Sequence, residues 1–326
     1  VAEKCAVSGA PLLIVILILS SIQGCTERDD LTGIDPREEM REFVMNISGY
    51  ARNLDPYFIV ITQNGNELLT DENGTPRKDY IEALDGVGQE DLFYGYLKDD
   101  SPTPPEENSY LLSLLDDARE NGLKVLVTDY CSTRENMDDS YSKNEQRGFI
   151  SFAAERRDLD IIPSYPKAPH RGNSENVSEL SEARNFLYLL DPSSFSDRDD
   201  YLDALEGTDH DLLIIDAFFD GAPLSRSDVD RLRTRSSGGS RLVISYLSIG
   251  EAEDYRYFWD TDWEKDPPPW LDDENPDWGG NYKVRYWDGD WKDIIYGSGD
   301  SYLDRIIYAG FDGVYLDIID AFEYYE

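Results

Sequence analysis

Phe311-Asp-Gly-Val-Tyr-Leu-Asp317-Ile-Ile-Asp320-Ala-Phe-Glu323-Tyr-Tyr-Glu326 is the stretch on which the fold turns. A short apolar run breaks off there into carboxylates and tyrosines. Strand side chains alternate, so Gly313, Tyr315 and Asp317 share one face, while Val314 and Leu316 give the other face a purely apolar character. A strand that is greasy toward covering helices and acidic at its end is the unit from which a (β/α)8 barrel builds a site. Residues 211–216 repeat the pattern, with Leu212, Ile214 and Asp216 on one face and Leu213 and Ile215 on the other.

Working outward, eight short apolar, β-branched or aromatic runs read as strands, at 58–63, 91–94, 124–130, 160–165, 186–190, 211–216, 241–248 and 313–317. Amphipathic stretches at 109–120, 143–157 and 301–308 fall between them, and another at 36–51 precedes the first. Eight such units predict an α/β fold, a (β/α)8 TIM barrel occupying residues 36–326 as one domain. The alternative is an open doubly wound sheet, for which the chain carries no Gly-rich phosphate fingerprint.

The composition sets the surroundings. The 326 residues carry a formal net charge of −38, with nine Lys against 68 Asp plus Glu. Such a surface repels phosphates, which excludes nucleic acid as a partner and disfavours anionic membranes. The apolar share still supports a sizeable core. A surface this acidic is either simply well solvated or adapted to high salt, where self-repulsion is screened; the halophilic reading is the expectation.

The first residues read as an export signal. Lys4 supplies a minimal positive region, and Pro-Leu-Leu-Ile-Val-Ile-Leu-Ile-Leu-Ser-Ser-Ile (11–22) follows. That run is shorter than the roughly 20 residues a membrane span needs, and fits a signal peptide better. Gly24-Cys25 after it resembles a lipobox, which makes 1–25 a lipoprotein leader, Cys25 the lipidation site and 26–35 a polar spacer. An uncleaved anchor helix is the competing reading. Either way the barrel is expected outside the cytoplasm, at the cell surface or secreted, with the membrane reached only through a lipid. Cys5 leaves with the leader and Cys131 has no partner, so no disulfide or zinc site is available. His170 and His210 stand in no triad or metal-ligand spacing. No metal, no cofactor and a monomer are expected.

Several longer strings resemble glycoside hydrolase family 114, the endo-α-1,4-polygalactosaminidase-like barrels, some of them once misassigned as relatives of cysteinyl-tRNA synthetase. They are the closing run from Phe311, Tyr246-Leu-Ser-Ile-Gly-Glu-Ala-Glu-Asp-Tyr-Arg256, and Pro267-Pro-Pro-Trp-Leu-Asp-Asp-Glu-Asn-Pro-Asp-Trp-Gly-Gly-Asn-Tyr-Lys-Val-Arg-Tyr-Trp-Asp-Gly-Asp-Trp291. The family also carries a Gln-Asn-Gly strand end like Gln63-Asn64-Gly65, a segment like 85–94, and a strand ending Val-Thr-Asp-Tyr like 127–130, but after the closing run. The resemblance covers most of 35–326 with its halves exchanged. This implies a circular permutant, in which 166–181, polar and rich in turn formers, joins the ancestral ends. A mis-ordered gene is the alternative.

The resemblance implies a glycoside hydrolase acting on a galactosamine-containing polysaccharide. Its chemistry needs one protonated carboxyl and one ionised carboxylate. Glu251, Glu253 and Asp254 crowd together beside Arg256 after the strand-breaking Gly250, an arrangement that splits pKa values apart. One member of the pair is therefore sought among these three, the other at Asp317, with Asp216 in reserve. An ordinary acidic loop is the plain alternative. All six Trp lie in the roughly sixty-residue insertion before the last strand. Trp278 and Trp287 are expected at the groove, where aromatic faces stack on sugars. The remaining substrate-binding candidates are Tyr246, Arg256, Tyr315, Asp320, Glu323, Gln63, Asn64, Asp129 and Tyr130. Tyr315 stands near where better-studied members carry Glu, which leaves a non-catalytic glycan-binding surface lipoprotein as the alternative function. A two-lobed solute-binding lipoprotein fits eight βα units poorly.

Overall fold

A computed structural model describes residues 33–326; the expected leader, Cys25 and most of the spacer lie outside the described residues. Among the described residues thirteen strands follow in chain order. The first six are β1 (Ile59–Gln63), β2 (Gly86–Glu90), β3 (Lys124–Tyr130), β4 (Ile150–Ala154), β5 (Phe186–Leu189) and β6 (Leu212–Ile215). A minimal hairpin, β7 (Phe218–Phe219) and β8 (Ala222–Pro223), precedes β9 (Leu242–Ser248). Then come β10 (Glu251–Glu253), β11 (Leu271–Glu274), β12 (Asn281–Val284) and finally β13 (Gly313–Asp317).

Eight of these form one parallel sheet in the order β4-β3-β2-β1-β13-β9-β6-β5. A parallel bridge from Ser151 to Asn185 brings β5 back beside β4, so the sheet curls into a nearly closed barrel. The first and last strands meet as expected: β1 and β13 pair in parallel from Ile59 against Gly313 to Thr62 against Leu316. Both faces of the strands are buried, which is why most read as continuous apolar runs.

The covering helices are α1 (Pro36–Leu54), α2 (Lys78–Glu82), α3 (Pro105–Glu120), α4 (Arg134–Arg147), α5 (Arg198–Glu206), α6 (Arg226–Leu232), α7 (Gly289–Ile295), α8 (Tyr302–Ala309) and the short α9 (Phe322–Tyr325). α1 begins where it does because the Asp35 side chain accepts from the Glu38 N–H, with Pro36 in the first turn. Its buried stripe of Met40, Phe43, Val44, Ile47 and Ala51 keeps helical spacing. Each large apolar side chain buried this way stabilises the fold by about 1.5–3 kcal/mol. Beside it the last residue comes to rest, Arg37 bridging to Glu326 at 2.6 Å.

Two strands lie elsewhere than the sequence suggests. β2 is Gly86–Glu90, not 91–94, and β4 is Ile150–Ala154, not 160–165. The expected helix at 143–157 correspondingly ends at Arg147. At β2 small residues form much of the strand while the more apolar string after it runs in loop, and at β4 the strand is Ile150-Ser-Phe-Ala-Ala154 while the 160–165 run is loop. The space at Gly88 is taken by the Tyr315 ring across the barrel, so that strand is glycine-rich because its neighbour is large. Between β4 and β5 the described residues include no α-helix. Residues 166–181 cross there instead, fastened by Asn173 to Asp211 at 2.9 and 3.0 Å and by the Val177 N–H to the Ser240 carbonyl.

Candidate active site

Barrel geometry gathers the inward side chains at the C-terminal strand ends around a cavity of about 940 Å³. Its floor is aromatic. Tyr315 is buried and meets Tyr188 edge-on at 5.4 Å, beneath Asp317 rather than on the cavity wall. The sequence places Tyr315 among substrate contacts; the structure makes it core.

Asp317 lines the cavity at the end of β13. Burial lifts its carboxyl well above the usual range, and the charge of Glu90 lifts it further, against hydrogen bonds from the Ile318 backbone and the Tyr246 hydroxyl. The chain then turns sharply, because Ile318 takes φ 59°, a left-handed conformation unusual for a β-branched residue. Gly250 makes room for that turn: a Cβ there would collide with the Ile318 carbonyl. The Ile249 N–H also donates to the Asp317 carbonyl at 3.1 Å, so the exits of β9 and β13 are locked together. Asp320, on the next half-turn, lines the same cavity, its carboxyl pushed up to about 7 by burial and by Glu323 and Glu90.

Glu90, at the end of β2, is the group that sequence reasoning missed. Its Oε1 accepts from the Tyr130 hydroxyl and its Oε2 from Asn64 Nδ2 at 3.2 Å. Both oxygens act as acceptors, the role of an ionised carboxylate. Gln63, which accepts from the Tyr188 hydroxyl at 3.2 Å, Asn64 and Tyr130 all line the cavity as expected. A signal for Glu90 existed: Gly86-Val-Gly-Gln-Glu90 alternates small inward residues and ends in an acid. It was obscured by the aromatic string just after it.

The acidic cluster separates into unlike parts. Arg256 Nη1 binds both oxygens of Asp216 at 2.7 and 2.9 Å, and its Nε binds Glu253 Oε2 at 2.5 Å, with Tyr255 also donating to Glu253. Asp216 and Glu253 touch the cavity, but each is tied to one buried guanidinium. Asp254 is exposed and does not line the cavity; it faces Gly280 on the neighbouring turn. Glu251 does line it, 3% exposed, with Oε1 bound to Asn275 at 2.8 Å and 3.6 Å from Lys283.

Three further candidates lie off the cavity. Asp129 points outward from β3 and accepts from the Phe93 and Tyr94 backbone, Ser140 and Asn144, an anchor for α4. Glu323 is exposed on α9. Trp287 stacks edge-on against Tyr325 at 4.7 Å. Most of the other Trp rings pin the insertion as well. Trp259, Trp263, Trp270 and Trp291 form a chain of ring contacts, and Trp291 donates to the Ile249 carbonyl at 2.9 Å. Trp278 differs: it lines the cavity and is 51% exposed, an open aromatic face at the rim. Among the described residues no cluster of His, Cys, Asp and Glu is arranged to hold a metal ion.

Comparison with known proteins gives a concordant picture. Residues 168–325 match the model of glycoside-hydrolase family GH114. An uncharacterised protein of Methanocaldococcus jannaschii is 41% identical over 177 residues, 54% of this chain and 49% of that protein. Uncharacterised proteins of Thermotoga maritima and Deinococcus radiodurans are 41% and 42% identical over 115 and 123 residues, 35% and 37% of this chain and 34% and 37% of theirs. The chain thus spans about half the length of the first relative and about a third of the other two.

Proposed function

We propose that this chain, whose residues 168–325 belong to glycoside-hydrolase family GH114, cleaves glycosidic bonds in a galactosamine-containing polysaccharide with Asp317 and Glu90 as the reacting pair. One observation carries the reading: the carboxyls at the ends of β13 and β2 line the same cavity, and that of Asp317 is raised first by its desolvated setting and then by the charge of Glu90. That is the division of labour glycoside hydrolysis requires. Asp317, kept protonated, donates to the leaving glycosidic oxygen. Glu90, an acceptor at both oxygens, attacks the sugar carbon or takes the proton of the attacking water. Tyr246 orients Asp317, and Tyr130 with Asn64 orients Glu90. Asp320, Glu251 and the open face of Trp278 supply hydrogen bonds and stacking for the sugars. The cavity, open along the strand ends, suits internal cleavage of a chain.

The test is release of reducing ends from galactosaminogalactan-type polymer. Asp317→Asn keeps shape and removes the transferable proton, and it should lower the rate at least ~10²-fold with the fold intact. Glu90→Gln should do the same. Wild-type protein that binds such polymers and never cleaves them would mean a glycan-binding barrel; an Asp317→Asn protein that cleaves normally would move the site elsewhere.

A further inference from the structure

Arg157 lines the cavity, but most of its donors are already engaged by the protein. It sits in the loop after β4 and reaches back over the end of β3. Its Nη1 and Nη2 hold both oxygens of Asp91 at 3.1 and 2.8 Å, Nη2 also donates to the Gly95 carbonyl at 2.7 Å, and Nε donates to Asp99 at 2.6 Å. Four of the five guanidinium N–H donors are thus committed along its edges. Its flat face lies over the Tyr130 ring, 4.2 Å from guanidinium carbon to centroid. Tyr130 in turn donates its hydroxyl to Glu90.

We propose that Arg157 is a positioning residue for Glu90, acting through the ring and hydroxyl of Tyr130. The inference rests on Glu90 being one of the reacting pair. A guanidinium over a phenol face is attracted to the ring and fixes it in place. It also draws electron density from the hydroxyl, which makes that hydroxyl a better donor to a carboxylate. The backbone is arranged for this. Asp91 directly follows Glu90 and takes φ 57°, so Glu90 turns into the barrel while Asp91 turns out to meet Arg157. Gly95 leaves the space in which they meet, since a Cβ there would collide with Asp91 Oδ1 and lie 3.1 Å from Arg157 Nη2.

The charges around Glu90 explain why such a hold is needed. Asp317 and Asp320 face it from the end of β13, and Asp91 adjoins it. The phenols of Tyr130, Tyr188 and Tyr315 are its other titratable neighbours. Arg256 is engaged with Asp216 and Glu253. Arg157 is the cation set against these acids on the Glu90 side of the cavity.

The experiment is a carboxyl ¹³C NMR titration of glutamate-labelled protein, with Glu90→Gln assigning the resonance. In Arg157→Gln the Glu90 midpoint should rise by about half to one pH unit, because the neutral form no longer competes with a stabilised anion. In parallel, kcat should fall about 10- to 100-fold with KM changed less than about threefold, and the acid limb of the rate profile should move up with the midpoint. In a Tyr130→Phe background the same substitution should cost less than about threefold, since the route through the hydroxyl is already gone. If Arg157→Gln misfolds, Asp91→Asn loosens the same guanidinium while leaving its charge, and should lower kcat about tenfold. An unmoved Glu90 midpoint, or an undiminished cost without the Tyr130 hydroxyl, overturns the proposal. If wild-type protein cleaves nothing, it is the reading of the reacting pair that fails, while the titration still reports whether Arg157 governs Glu90.

Discussion

Asp317 and Asp320 are three residues apart, and both are held above the carboxylate range for the same first reason, burial. Their consequences for stability can be separated by pH. Asp320 is raised to about 7 in the folded chain, whereas the unfolded value is about 3.9. The folded state therefore binds the proton more tightly. Its favourable contribution is complete below about pH 4 and is lost as pH rises toward 7. Asp320→Asn, neutral at every pH, should raise stability at pH 7–8 by on the order of 1–4 kcal/mol and leave it nearly unchanged below pH 4. Denaturant melts at the two pH values check this; an equal effect at both would mean that Asp320 carries no proton linkage. Asp216 on the cavity wall is raised as well, again first by burial, although the Arg256 guanidinium within bonding distance works against the shift.

At the scale of elements, the strands were readable where β-branched and large apolar residues fill both faces, as in β3, β9 and β13. Reading failed at β2, which is glycine-rich because the Tyr315 ring takes the space at Gly88, and at β4, which falls inside the helix expected at 143–157. Glu90 was lost with β2 for that reason. The seam between β1 and β13 bears on the proposed permutation. These strands pair over four registered residue pairs, and Glu326 meets Arg37 at the start of α1. A chain opened between Arg171 and Gly172, with Glu326 rejoined to Asp35 through a short flexible linker, keeps every strand pairing. It should fold cooperatively, with a melting temperature within several degrees of the parent, since neighbouring ends tolerate such reordering. Failure to fold would argue that the present order is required, and would remove the support that the seam gives to a permuted ancestry.

The whole molecule carries a formal charge of −38. Arginines are paired across the surface, among them Arg77 with Glu38 and Asp79, and Arg231 with Asp203 and Glu206. Exposed pairs of this kind contribute little individually, about 0–1 kcal/mol, and leave most of the acids unbalanced. We propose that the surface is adapted to high salt. Thermal stability should rise from dilute buffer well into molar KCl, past the concentration at which the Debye length has already fallen to about 3 Å. A melting temperature that levels off at modest ionic strength would reduce the effect to plain screening.

What the sequence determined by itself was local in origin. Alternation along 313–317 put Asp317 at a strand end, Asp35 and Pro36 began α1, and Gly250 marked the break after β9. Each depends on backbone preference or side-chain period within a few residues. The tertiary structure alone decided which carboxylates remain available. Glu90 and Asp317 are 227 positions apart in a chain of 326, yet their charges meet in one cavity because β1 lies between β2 and β13. Arg256 reaches Asp216 across the next strand boundary, and Asp129 is taken by α4. A carboxylate's state is set by whatever charge, donor or burial surrounds it in space, and that is fixed by strand order and not by spacing along the chain.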